Sequence, residues 1–166
     1  VSINNNNLDN IFEINDNNKD LNNINVIYHD ENLKYGGSGI VSDCQRIEIV
    51  TKGTIILCND LENLNLLLKD ITKKAQKSKF AFIVNGSSAD KIVNFIITNN
   101  YKDLFIKACI YTSNLSKYSS VKDKYSDFIE TICLDCEKII DFVNKTFENL
   151  NITNERFVNN NKFSFL

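Results

Sequence analysis

The sequence predicts an α/β protein: a flavodoxin-like three-layer fold with a five-stranded parallel sheet in the order 2-1-3-4-5 and helices on both faces. Three observations predict it. Short apolar runs recur along the chain and are continuous instead of alternating, the pattern of strands covered on both faces. Most of these runs lead through a capping residue into a segment with apolar residues at helical spacing. Residues 79–112, KFAFIVNGSSADKIVNFIITNNYKDLFIKACIYT, spell out one β-α-β unit almost without interruption. Right-handed crossovers follow from strand twist, and 2-1-3-4-5 is the common order for five such strands.

The 166 residues, 43% of them hydrophobic and 24% charged, suffice for one domain with a real core. A net charge of −2 with no basic stripe argues against a nucleic-acid partner. No run approaches the ~18 apolar residues needed to span a bilayer, and the first residues lack a signal-peptide pattern. The five cysteines (Cys44, Cys58, Cys109, Cys133 and Cys136) are odd in number, and with no secretory signal this favours a reducing compartment. A cytoplasmic protein without a membrane anchor is the expectation. The chain has no proline, methionine or tryptophan. The missing initiator Met suggests a piece of a longer or processed protein, and the abundance of Asn suggests an AT-rich, protist-like genome.

Residues 1–23 form a polar, Asn-rich tract, expected to be an arm or linker with at most a packed turn near Ile11 to Ile14. The domain proper is expected over 24–150. Residues 24–28, INVIY, are the first strand and run into His29, Asp30 and Glu31. No clear helical period is visible between 32 and 46. Gly36, Gly37 and Gly39 with Ser38 mark a turn, so the first helix is expected to be short, or replaced by a loop and a small strand at Ile47 to Val50. Residues 54–58, TIILC, are the second strand. Asn59 or Asp60 then caps a helix with a stripe at Leu61, Leu64, Leu67, Leu68 and Ile71.

The third strand is Phe80 to Val84. A helix from about Ser88 to Asn99 follows, with Ser87 or Ser88 as its cap and Ala89, Ile92, Val93 and Ile96 on its apolar face. The fourth strand is Ile106 to Tyr111, and a short segment to Tyr125 has helical spacing at Leu115, Tyr118 and Val121. Residues 128–134, FIETICL, are the fifth strand. Asp135 caps a last helix bearing Ile139, Ile140, Phe142, Val143 and Phe147. Residues 151–166 return to Asn-rich sequence, a tail whose Phe157, Val158, Phe163, Phe165 and Leu166 could pack back on the core.

In element order the chain resembles the response-regulator receiver fold, and more closely the receiver-like modules of large protist, fungal and rotifer multidomain proteins. The resemblance covers residues 24–148. It is carried by the acidic end of the first strand (VIYHDEN), the VNGSS turn after the third, the fourth strand with its following Asn and Lys-Tyr (IYTSNLSKY), and the fifth strand leading through an acid into the last helix (TICLDCEKI). A working receiver holds Mg²⁺ with an acidic pair after strand one and takes the phosphoryl group on an Asp ending strand three. It also uses a Thr or Ser ending strand four and a Lys ending strand five. Asp30 and Glu31 match the acids, and Thr112 matches the hydroxyl. Asn85 stands at or near the phosphoacceptor position, and its amide is a poor nucleophile that cannot form an aspartyl phosphate. No Lys follows strand five until Lys138. The resemblance therefore implies a degenerate pseudo-receiver that docks without transferring phosphate.

Other constellations are weaker. His29-Asp30-Glu31 cannot converge on one point from a strand, because successive side chains alternate; a polar strand end is favoured. Cys133 and Cys136 form a CxxC without two further zinc ligands, and a strand-buried Cys133 argues against redox use. Tyr35-Gly36-Gly37-Ser38-Gly39 lacks both phosphate-loop signatures and is expected to be a loop tip. Asn85-Gly86-Ser87-Ser88 lies at a strand end and a helix start, where an anion could rest, though helix capping alone also explains it and is favoured.

The expected function is a non-catalytic signalling or regulatory protein-interaction module of a larger protein. It needs no cofactor or metal, and its partner is a protein or a neighbouring domain. The alternative is a small-ligand or nucleotide-binding domain using the crevice at the strands' carboxyl ends, lined by Asp30, Glu31, Asn85, Gly86, Ser87, Thr112 and Ser113. A third reading, a TIR-like NAD-consuming enzyme, would require a catalytic Glu there, for which Glu31 is the single weak candidate. The oligomeric state is not readable from the residues.

Overall fold

The computed structural model describes residues 2–3, 23–35, 38–74 and 78–163. Strands β1 (Asn25–His29), β2 (Thr54–Cys58), β3 (Phe80–Asn85), β4 (Phe105–Tyr111) and β5 (Ile129–Cys133) form an all-parallel sheet. Their order is β2-β1-β3-β4-β5, the expected 2-1-3-4-5. The expected turn at Ile11 to Ile14 lies outside the described residues. One addition comes from the Asn-rich arm: Ser2–Ile3 pairs parallel to Ile56 and Leu57 and lengthens the sheet at its β2 edge. Two residues supply too little pattern for such a strand to be read in advance.

The strands alternate between two cores. Val26, Tyr28, Ile55, Leu57, Ala81, Ile83, Cys109 and Cys133 face α1 (Ser38–Thr51) and α5 (Cys136–Phe163). Ile27, Ile56, Cys58, Phe80, Phe82, Val84, Ala108 and Ile110 face α2 (Leu61–Lys73), α3 (Ala89–Thr98) and α4 (Leu115–Lys124). Because both faces are covered, the strands read as unbroken apolar runs. The result is a three-layer, flavodoxin-like α/β fold.

Helix α2 forms as its stripe requires. Leu64, Leu67, Leu68 and Ile71 are buried, and Asp60 accepts a hydrogen bond from Asn63 N at 2.7 Å. Helix α3 buries Ala89, Ile92, Val93 and Ile96 and stops at Asn99, with Asn100 at φ 61°. Asn is one of the few residues that tolerates this left-handed turn. Of the two serines expected to cap this helix, Ser88 takes the position but not the bond. Instead Asn85 caps a single 3₁₀ turn, Gly86–Ser88, by accepting from Ser87 N. The amide three residues earlier reaches the first orphan N–H, so the serine hydroxyls are not needed for it.

The largest departure is α1. The chain from 38 to 51 is a 14-residue helix, and Ile47 to Val50 is not a strand. Its inner stripe is Ile40, Cys44, Ile47 and Thr51, of which Cys44, Ile47 and Thr51 are buried. A cysteine and a threonine fill two of four inward positions, so the apolar period is faint in sequence. Ile49 and Val50, which looked like strand residues, point to solvent at 77% and 51% exposure. Thr51 is accommodated by donating its hydroxyl to Ile47 O at 2.6 Å.

Helix α5 also outruns expectation. It begins as foreseen, with Asp135 accepting from Lys138 N at 2.9 Å, but continues for 28 residues through the Asn-rich segment to Phe163. Asparagine is only a mediocre helix former, so the buried run of Ile139, Ile140, Phe142, Val143 and Phe147 anchors it. The expected return of Phe157, Val158, Phe163, Phe165 and Leu166 to the core falls outside the described side chains. On α4, Tyr118 and Val121 pack inward as expected, whereas Leu115 is half-exposed.

Candidate functional site

Parallel strands deliver their carboxyl ends to one side of the sheet, where polar residues can stand clear of the core. Here β1 ends in His29, next to Asp30, and β3 ends in Asn85, next to Gly86. β4 ends in Tyr111, next to Thr112. The strands are in register there: His29 lies beside Val84, and Asn85 beside Tyr111.

Three of the seven candidate residues are joined directly. Asp30, 2% exposed, accepts from Asn85 Nδ2 at 3.2 Å through Oδ2 and from Asn32 N at 2.9 Å through Oδ1. Asn85 Oδ1 accepts from both Ser87 N and Ser87 Oγ at 3.0 Å. Asn85 therefore spans β1 and the β3–α3 turn, with both ends of its amide engaged. Gly86 is buried beneath Tyr118 of α4. A Cβ on Gly86 would stand 2.5 Å from the ring, so any larger residue must displace Tyr118.

Thr112 and Ser113 are at the same end but bonded separately. Thr112 Oγ1 accepts from Asn114 N at 3.1 Å, and Thr112 N donates to Cys133 O. Ser113 is exposed. Glu31 is half-buried, opens a 3₁₀ turn over Glu31–Tyr35, and makes no side-chain bond to Asn85 or Thr112.

Beneath this crevice lie groups that the sequence reading underweighted. Tyr28 and His29 are both 0% exposed; the Tyr28 hydroxyl has no hydrogen-bond partner, and the His29 ring has none beyond the Asp60 backbone. The Ser88 hydroxyl is also buried and unpartnered. Burial holds the His29 imidazole below its usual pKa, opposed by the charges of Glu31 and Asp30 and by the backbone and carboxylate of Asp60. Burial pushes the Tyr28 phenol up, with Cys44, Asp30, Tyr111 and Cys109 adding to it. Tyr28 and Tyr111 meet edge to face, with ring centroids 6.4 Å apart. The signal for Tyr28 was present, since a polar-tipped residue closing a buried run needs a partner.

The cysteines are all free. Cys44, Cys58, Cys109 and Cys133 are buried, and Cys136 is half-buried at the start of α5. Burial, the largest cause in each case, raises the thiols of Cys44 (to about 12), Cys109 and Cys136. That direction suppresses thiolate chemistry. Among the described residues no group of three His, Cys, Asp or Glu side chains is arranged to hold a metal, and no helix is long and apolar enough to cross a membrane.

A groove of about 560 Å³ lies elsewhere, between β5 and α5, lined by Ile106, Ile132, Phe142, Lys145 and Leu150 among others. It includes none of the seven crevice residues. No family model, curated protein or solved structure matches the chain.

Proposed function

We propose that this chain is a non-catalytic signalling or regulatory module that docks a protein partner or a neighbouring domain, a pseudo-receiver in which the receiver's crevice has become structural. One observation carries the reading. The side chain ending β3 is an amide, and both of its ends are engaged, by Asp30 on one side and Ser87 on the other. An amide so held presents no nucleophilic oxygen for phosphoryl transfer. The Asp30 carboxylate is likewise occupied, with Asn32 N and Asn85 Nδ2 on separate oxygens. The crevice then acts as a rigid platform whose shape, not its reactivity, is recognised.

The test is incubation with a small acyl phosphate and Mg²⁺, followed by intact-mass spectrometry. The unmodified mass is expected. A stoichiometric phosphoryl adduct mapping to the crevice would end the non-catalytic reading. Thermal shift with nucleotides in parallel addresses the small-ligand alternative, which a clear stabilisation would favour.

A further inference from the structure

The two edges of the sheet are treated differently. At the β2 edge the chain covers itself, with Ser2–Ile3 paired parallel to Ile56 and Leu57. At the other edge β5 pairs with β4 alone among the described residues. An edge strand keeps a row of backbone N–H and C=O groups turned outward, and proteins commonly blunt such an edge with proline, lysine or a covering segment. β5 reads IETIC, with neither proline nor lysine, and Glu130 is its single charge.

The groove of about 560 Å³ runs along this open edge. Four consecutive residues of β5, Glu130 to Cys133, line it. Ile132 packs toward the core under α2, α3 and α4, and Cys133 toward the core under α1 and α5. A groove that touches both follows the backbone edge, not one face of the sheet. Its second wall is α5, which contributes a stripe from Lys138 to Leu150 at i, i+3, i+4, i+7, i+8, i+11 and i+12. At 1.5 Å per residue that wall is about 18 Å long, and an extended chain covers the distance in about five residues. The groove thus has the length of one added strand, and β5 itself has five residues.

Its lining also has a charge bias. Lys107, Lys138 and Lys145 stand against Glu130 and Asp141, an excess of one positive charge in a chain whose net charge is −2. Lys138 and Lys145 are exposed and belong to none of the ion pairs among the described residues. Between them Phe142 supplies apolar surface, with Leu150 beyond.

We propose that the groove between β5 and α5 receives an extended segment of a partner polypeptide, apolar and acidic by turns, which adds to β5 as a further strand. Backbone hydrogen bonds to the open edge hold it, its apolar side chains lie against Phe142 and Leu150, and its carboxylates meet Lys138 and Lys145. The surface lies outside the crevice, so the inference goes beyond the docking reading and stands without it.

The test uses the full chain and a fluorescent peptide alternating Val with Glu over about seven residues, read by anisotropy. Main-chain bonds do not depend on the exact sequence, so the pattern suffices, and saturable binding below about 1 mM is expected. Two further peptides carry N-methyl groups on one or the other alternate set of amides. Only one set faces β5, so one methylated peptide should lose about tenfold or more in affinity while the other keeps it. Lys138→Gln and Lys145→Gln should each weaken binding about threefold. Lys91→Gln, exposed on α3 across the sheet, should leave it unchanged. Matching thermal unfolding verifies that the variants fold. Absent binding, a loss for both methylated peptides or for neither, no weakening by the two α5 variants, or equal weakening by Lys91→Gln would each overturn the proposal. So would a dimer of the full chain, seen by sedimentation, that the peptide does not dissociate, because a second copy would then fill the edge. A phosphoryl adduct in the crevice would end the docking reading and leave this peptide assay untouched.

Discussion

The two strand ends that frame the crevice solve the same problem in opposite ways. At the end of β3 the Asn85 side chain hydrogen-bonds Asp30 through its nitrogen and Ser87 through its oxygen, and Gly86 is covered by the Tyr118 ring. At the end of β1 the Tyr28 hydroxyl is buried without a partner, and the His29 imidazole has at most the Asp60 backbone. A satisfied polar network rigidifies, whereas an unsatisfied one is costly and leaves its neighbourhood sensitive to a change of charge. The β3 end is thus the fixed wall of the crevice, and the β1 end is the side able to respond.

Breaking the fixed wall should give the largest effects. Asn85→Asp sets a second carboxylate against Asp30, where the amide nitrogen now sits 3.2 Å away. Two such groups cannot both ionise cheaply. Loss of about 3 kcal/mol or more is expected at neutral pH, on the scale of an uncompensated buried charge. Urea denaturation should show part of that loss recovered in acid, where one carboxyl takes up a proton. Asn85→Ala, which only removes the donor to Asp30, should cost about 1–3 kcal/mol. If the two variants prove equally stable, the amide is not the keystone of this wall.

Gly86→Ala tests the same wall from above. The added methyl would meet the Tyr118 ring at 2.5 Å, and displacing that ring should cost about 1–3 kcal/mol. Tyr118→Ala in the same chain opens the space, so the double variant should lose less than the sum of the two single losses. Strict additivity would mean that the ring does not in fact press on the turn.

The layers of the fold were legible because they depend on long, redundant patterns. The leucine stripe of α2 and the apolar runs of β2 and β3 each contain more correct signals than are needed. Where one or two residues decide the outcome, the sequence was ambiguous. Helix α1 hides its inward face behind Cys44 and Thr51 and shows Ile49 and Val50 to solvent. The cap of the β3–α3 turn depends on which of three adjacent polar side chains reaches the Ser87 amide, a matter of geometry, not of composition. The site followed the same division. Asn85 at the end of β3 could be read directly, but its bonds to Asp30 and Ser87 could not, because they depend on how two strand ends and one turn meet in space.

The responsive end should reveal itself through pH. His29 is held neutral by burial, so its folded pKa lies below the unfolded value of roughly 6.5. The unfolded chain therefore binds a proton first as pH falls, and stability present above about pH 6.5 should decline below it until the folded pKa is reached. His29→Leu removes the buried imidazole and should flatten that decline while costing about 1 kcal/mol or less at neutral pH, the worth of one contact with the Asp60 backbone. The measurement is urea stability from neutral to mildly acid pH for both chains. Parallel curves would show that another group sets the acid limit.

The smallest effect should come from a pair that looks stronger than it is. Arg46 and Glu137 join α1 to α5, and they form the one ion pair between these two helices among the described residues. Both side chains are about 60% exposed, so water screens the attraction and two long side chains lose freedom in making it. Glu137→Gln should change stability by no more than about 0.5 kcal/mol. The contrast with Asn85→Ala is the informative quantity. Arg46–Glu137 carries full charges in the open, and Asn85–Asp30 pairs a neutral amide with a carboxylate under cover, yet the second should matter several times more. Paired urea curves for the two variants measure that ratio directly, and a ratio near one would mean that burial does not set the hierarchy of polar contacts in this domain.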